Sequence, residues 1–345
     1  MINHNEVWTF LEGLQDKQRI TEIVINANNL VFIERDNQFI QMDIQFEKKE
    51  IYDFIKDVAK INNKSISMDE PILDGSLPDG SRINAIIEPY SVNGPAITIR
   101  KYIKKNVTLT PPYLFGLNDF WAIFLKAIVH AKQNILISGG TGVGKTTFLN
   151  MLLAQIDSAE RLVVIEDTKE LEINNKNQVR LEVIKGFNLS KKTLNVRDMV
   201  KNTLRMRPDR IIIGEVRGEE VFDLLQAMNV GHNGSMTSIH ASSSGECFKR
   251  LESLFLLSGY DVPYRVVRRQ IASAVNYIIH LEKNSDGKRS IAEIIEITGI
   301  EGDMIQVSQI ACLENGELVK TGRVPKNIRE LHKKSGLPLE YFADH

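Results

Sequence analysis

The chain reads as an α/β protein whose larger part is a nucleotide-binding sheet, preceded by a smaller α+β domain. Two observations carry that reading. Beyond residue 117, strand-like apolar runs at 133–138, 161–166, 209–214 and 235–240 alternate with amphipathic runs at 145–155, 193–206 and 218–229, the pattern of a parallel sheet with crossover helices. Within it, Asn134-Ile135-Leu136-Ile137-Ser138 runs straight into Gly139-Gly140-Thr141-Gly142-Val143-Gly144-Lys145-Thr146, a glycine-rich turn where a strand gives way to a helix. At 345 residues the chain is long enough for two domains with separate cores.

Upstream, short alternating runs such as Glu22-Ile23-Val24-Ile25-Asn26 and Leu30-Val31-Phe32-Ile33 predict strands, with a polar turn at Arg35-Asp36-Asn37 before Phe39-Ile40. A helix is predicted from Lys48 to Ile61. Strands follow after the Leu77-Pro78-Asp79-Gly80 turn and at Pro95–Arg100. Lys-Lys, Pro111-Pro112 and Gly116 make 103–117 a linker, so the domains are 1–102 and 118–345. From Asn276 onward the runs turn β-rich (276–281, 290–298, 304–308) and are expected to extend the sheet or pack as hairpins. The last twenty residues read as a peripheral helix or loose tail.

Charge is nearly balanced, with 43 Lys and Arg against 44 Asp and Glu. Neither end reads as a signal peptide or lipidation site, and no apolar run is long enough to span a bilayer. A cytoplasmic protein is expected, attached to membranes only through partners. Cys247 and Cys312 lie far apart, without metal-ligand spacing, and read as buried, idle thiols.

The glycine-rich turn implies that the chain binds ATP or a related nucleoside triphosphate. Backbone N–H groups of Gly139, Gly140, Thr141, Gly142, Val143 and Gly144 would wrap the phosphates, and the helix starting near Lys145, with Thr147 in its first turn, would aim its positive end at them. Lys145 would reach the β/γ-phosphates and Thr146 would ligate Mg²⁺. Leu162–Ile165 ends in Glu166-Asp167, followed by Glu170; placed on a strand beside the phosphate-loop strand, these acids would shape the metal shell. Asp209–Ile213 leads into Gly214-Glu215, with glycine where many such enzymes carry aspartate, and Glu215 is the residue to orient the attacking water. His232 and His240 bracket a strand at 235–239. Taken singly each would be an ordinary hydrogen-bonding group, but His240 falls at the C-terminal end, where ligands bind in such sheets, and could report the γ-phosphate. Lys185–Arg210 holds eight basic residues against two acids; Lys191 and Lys192 read as a solvated face, whereas Arg82 and Arg100, on first-domain strands, could neutralise phosphate charge if the domains close.

Phosphate loop, acidic box at 166–170, Gly-Glu Walker B at 214–215 and histidine box at 231–240 occur in this order in secretion ATPases, and the chain resembles the type II/IV secretion superfamily. Leu77–Ala85, Gly94–Lys101, Leu204–Gly218 and Gln226–Ser235 resemble the CpaF/TadA-type motors within it. The resemblance spans roughly residues 60–300. It implies a RecA-like, homohexameric, Mg²⁺-dependent ATPase on the inner face of the cytoplasmic membrane, working on a membrane-embedded platform protein and, through it, pilins of a Tad-type type IV pilus. It further implies that Arg82 and Arg100 are the arginines that swing onto the γ-phosphate. The long N-terminal extension of many such motors and the Ala-Ile-Arg-type retraction motif are missing, the latter replaced by Val266–Ala272.

A VirB11-type ATPase of a type IV secretion or conjugation system shares every box and is the nearest alternative. The Pro78–Arg82 turn and the Gln226–Asn229 run favour the pilus motor. A RecA-like DNA translocase is a further alternative, against which stand the near-neutral charge and the lack of an aromatic-and-basic stacking stretch. A non-hydrolysing nucleotide sensor is disfavoured by the intact Lys145 and Glu215.

Overall fold

A computed structural model describes residues 5–14, 20–27, 29–36, 38–102, 107–183, 194–284 and 286–343. They divide into two units: 5–102 with Thr168–Glu170, and 107–167 with Leu171–Val183 and 194–343. Lys191 and Lys192 lie outside the described residues.

The first unit runs α1 (Glu6–Gly13), β1 (Ile20–Ile25), β2 (Val31–Arg35), β3 (Gln38–Gln41), α2 (Lys48–Ile61), β4 (Ile72–Ser76), β5 (Arg82–Ile86) and β6 (Ala96–Arg100). Its sheet is antiparallel throughout, in the order β3-β2-β1-β6-β5-β4. Helix α2 has the predicted bounds because local signals agree: Glu47 and Glu50 form a capping box, and Ile51, Phe54, Ile55, Val58 and Ala59 bury one helical stripe. That stripe meets the alternate strand residues Ile23, Ile25, Ile33, Ile83, Ala85, Ile97 and Ile99 in one core.

The second unit runs α3 (Asp119–His130), β7 (Ile135–Gly139), α4 (Lys145–Leu153), β8 (Leu162–Glu166), β9 (Gln178–Glu182), α5 (Val196–Thr203), β10 (Arg210–Ile213), α6 (Glu220–Asn229), β11 (Met236–His240), α7 (Ser244–Leu256), α8 (Tyr264–Ala274), β12 (Tyr277–Lys283), β13 (Arg289–Glu301), β14 (Met304–Glu314), β15 (Glu317–Lys320) and α9 (Ile328–Ser335). The nine strands are ordered β15-β14-β13-β12-β7-β11-β10-β8-β9. From β12 to β9 neighbours are parallel; β13, β14 and β15 extend the sheet antiparallel, as the β-rich C-terminal runs predicted.

Strand β7 is buried at every position because both faces are covered. Ile135 and Ile137 face a core with α3 and α4, and Leu136 faces the other with α6, α7 and α8.

The stretch 107–117 differs from the expected linker, because its apolar residues find a core: Leu109, Phe115 and Leu117 are buried in the second unit. Of the two alternatives for the C-terminal segment the helix holds, as α9, and it is docked: Leu331, Leu337 and Phe342 are buried, and Phe342 packs edge-on against Phe120 and Phe124. Cys247 is buried, and burial pushes its thiol up to about 12, whereas Cys312 is only half-buried. No helix among the described residues is long and apolar enough to cross a membrane.

Candidate functional site

The C-terminal ends of β7, β11 and β10 bring the second unit's polar groups together. The loop from Gly139 to Gly144 leads into α4, whose first turn holds Lys145, Thr146 and Thr147. Gly144 caps that helix at φ 98°, a left-handed conformation that side chains rarely adopt. Register places His240 opposite Gly139 across β11–β7, and Glu215 follows two residues beyond β10, which pairs with β11.

Lys145 is 8 % exposed. Its ammonium donates to the carbonyls of Gly139 (3.0 Å) and Gly140 (2.8 Å) and to Nδ1 of His240 (3.2 Å). Accepting at Nδ1 makes His240 the neutral Nε2–H tautomer. Burial agrees, pushing the ring below its ordinary range against the pull of the Glu215 charge. Burial likewise lowers Lys145, with Glu215 opposing it at 3.9 Å.

Nε2 of His240 approaches Oε1 of Glu215 to 2.8 Å, yet its N–H is not aimed at that oxygen, and Oε1 is buried without a hydrogen-bond partner. The other oxygen, Oε2, accepts from Nε of Arg217 (2.5 Å), and Arg217 also reaches Asp167 (3.3 Å). Glu220 holds that turn by accepting from the N–H groups of Arg217 (2.6 Å) and Gly218 (2.9 Å).

A buried carboxylate oxygen left open beside a glycine-rich amide loop and an ammonium suits a polyphosphate with an ordered water. No cluster of three His, Cys, Asp or Glu with metal-binding geometry occurs among the described residues.

Other expected residues are placed differently. Strand β8 is not beside the phosphate-loop strand: β11 and β10 intervene, about 14 Å at ordinary strand spacing. Glu166 accepts at Oε1 from the Leu171 N–H (2.7 Å) and at Oε2 from Arg180 (2.6 Å), which orders the 166–171 turn. A Cβ at Gly214 would lie 3.4 Å from Glu166 Cγ, an ordinary van der Waals contact, so space alone does not require glycine there. Asp167 joins the Glu215 network through Arg217.

His232 is not brought to the loop. It precedes β11 at the opposite end of the strand from His240, and its Nδ1 donates to the Pro208 carbonyl (3.2 Å). In the first unit, Arg82 and Arg100 are cross-strand partners on β5 and β6; Arg82 pairs with Glu170, and Arg100 is exposed.

Sequence reasoning missed Arg180, Arg217 and the Ser138–His280 pair. Ser138 Oγ and His280 Nδ1 share a hydrogen bond of 2.8 Å, directly behind the loop. Only strand pairing 142 residues apart in sequence makes that contact, so no local signal announces it.

The family model described as "Type II/IV secretion system protein" matches residues 8–333. The conjugal transfer protein TrbB of Rhizobium radiobacter is 32% identical over 305 residues, 87% of this chain and 90% of that protein. The type IV secretion system protein VirB11 of Bartonella henselae is 31% identical over 325 residues, 83% and 89% of the two chains. An uncharacterized protein of Methanocaldococcus jannaschii is 39% identical over 235 residues, 66% of this chain, and the match spans only 33% of that longer protein. Among solved structures, the pilus retraction motor PilT with bound ADP has a TM-score of 0.60 at 17% identity, covering 96% of this chain and 87% of its own, a likeness of fold.

Proposed function

The chain belongs to the type II/IV secretion system protein family, and on that premise we propose that it is an ATP-hydrolysing motor of a type IV secretion or conjugation system. The observation that carries the chemistry is the open, buried Oε1 of Glu215, set beside Lys145 and His240 at the mouth of the phosphate loop. TrbB and VirB11, each matched over most of its length, weigh toward the conjugation role and against the Tad-pilus motor that the Leu77–Ala85 and Gln226–Ser235 segments resemble.

Loop amides and the ammonium of Lys145 bind the phosphates, the lysine exchanging the Gly139 and Gly140 carbonyls for phosphate oxygens. Thr146 and, through water, Asp167 would hold Mg²⁺, which neutralises charge on the β/γ-phosphates. Oε1 of Glu215 accepts a hydrogen bond from the attacking water and orients it. Neutral His240 tethers Lys145 through Nδ1 and stands next to that oxygen. Arg217 holds Oε2, so the carboxylate keeps one oxygen for water. Arg82 and Arg100, neighbours across β5–β6, supply charge as the γ-phosphate leaves, with subunits arranged as a homohexameric, RecA-like ring at the cytoplasmic face of the membrane.

Membrane pull-down with Glu215→Gln held in ATP tests the machine. Recovery of conjugation-channel ATPases or a DNA-coupling protein is expected. Recovery of a multispan platform protein with pilins would instead return the chain to the Tad-pilus role.

A further inference from the structure

Gly144 is hemmed in from outside the phosphate loop. A Cβ built there would lie 3.0 Å from two ring atoms of Phe115 and 3.3 Å from Cδ of Arg289. Phe115 is fixed: its ring meets Phe148 of α4 edge-on at 5.3 Å, and its carbonyl accepts from the N–H of Ile291, two residues beyond Arg289. That link binds the start of β13 to the loop and sets Arg289 over Gly144. Phe115 is 5 % exposed and offers no face for a base to stack on. Arg289 is exposed, and no hydrogen bond or ion pair engages its guanidinium among the described residues. An arginine's terminal nitrogens lie roughly 3–4 Å past its Cδ by ordinary bond lengths, which covers the mouth of the loop at the N-terminus of α4.

From this geometry we infer that Arg289 is a phosphate-binding residue of the nucleotide site, contacting the α/β-phosphates from within the same unit as the loop; the inference rests on the ATP-binding reading above. A free, weakly hydrated guanidinium beside a cradle of amides suits a phosphate oxygen better than water does. Loop amides near Gly144 hold α- and β-phosphates, so the contact exists equally with ADP and ATP. Arg289 therefore serves binding, whereas Arg82 and Arg100 serve the departing γ-phosphate.

The test is calorimetric titration of the full chain with ADP, ATPγS and adenosine, comparing wild type, Arg289→Gln, Arg289→Lys and Lys145→Ala. Arg289→Gln should weaken ADP and ATPγS alike by about tenfold, the scale of one charge-assisted hydrogen bond at an exposed site. It should leave adenosine affinity unchanged, with Arg289→Lys recovering part of the loss. ADP affinity within twofold of wild type in Arg289→Gln would overturn the inference while wild-type binding, abolished in Lys145→Ala, keeps the ATP-binding reading intact. A loss confined to ATPγS would overturn it too, by placing the contact at the γ-phosphate. Failure of the wild type to bind ADP would overturn both.

Discussion

Glu160→Ala should cost the second unit about 3 kcal/mol of stability, the low end of the range for breaking a buried ion pair. Arg210, the first residue of β10, is 0 % exposed. Its Nε and Nη2 donate to the two oxygens of Glu160 at 2.9 and 2.8 Å, Lys132 adds a third contact at 2.9 Å, and Nη1 has no partner. Removing Glu160 strands a buried guanidinium that already lacks one bond. The low end applies because the Glu160 side chain keeps 13 % exposure, which leaves a path for water. At roughly 2–4 °C per kcal/mol for a unit of this size, thermal scans should show a fall of about 6–12 °C. The double variant Glu160→Met/Arg210→Met should recover to within about 1 kcal/mol of wild type, because apolar pairs replace buried ion pairs at little cost.

The pair also has a pH signature. Burial alone would raise the Glu160 carboxyl, but the hydrogen bonds from Arg210 and Lys132 outweigh it and hold the group below its usual range. A lowered carboxyl contributes its stability above the unfolded value of about 4.3 and loses it as pH falls through the folded value. The deficit of Glu160→Ala should thus be full at neutral pH and shrink only below about pH 4. ATP affinity should not change, since Arg210 lies at the far end of β10 from Glu215. A single variant melting within about 2 °C of wild type at neutral pH, or a double variant no better than the single, would refute the reasoning.

Glu215→Gln should bind ATP yet turn it over at least about a hundredfold more slowly, because the phosphate cradle stays while the water loses its acceptor; fast turnover removes Glu215 from that role. Arg82→Ala should keep nucleotide affinity near normal and slow hydrolysis, and parallel losses of both would make Arg82 a ground-state contact. Burial lowers His240, so the ring stays neutral at pH 7 and wild-type turnover should decline only as pH drops below about 6.5. His240→Asn cannot take that proton, and its pH profile should lack the acid limb; an identical limb in both proteins would assign it elsewhere.

Much of the site was legible because its parts are contiguous. Strand, glycine turn and helix at 134–153 lie within one stretch of chain, so spacing alone located Lys145 and Thr146. Helix α2 was equally readable from its capping box and apolar stripe. His232 and His240 show where reading stops. Both flank one strand in sequence, but a strand has two ends about 16 Å apart for five residues, and only one carries the loop. Glu166 carries a related ambiguity: a strand-end acid looks alike whether it faces a ligand or an arginine, and Arg180 comes from the neighbouring strand β9.

By itself the sequence determined the glycine-rich loop, the alternation of strands and helices and the placing of Glu215 just past a strand end, since each rests on hydrogen-bond patterns and side-chain periods that act over a few neighbouring residues. Only the tertiary structure decided the order β12-β7-β11-β10-β8. That order depends on burying both faces of every central strand at once, a condition met by residues far apart in the chain. It put Glu215 two strands from the loop and Glu166 three, gave His240 its lysine, and laid Arg289 and Phe115 across Gly144.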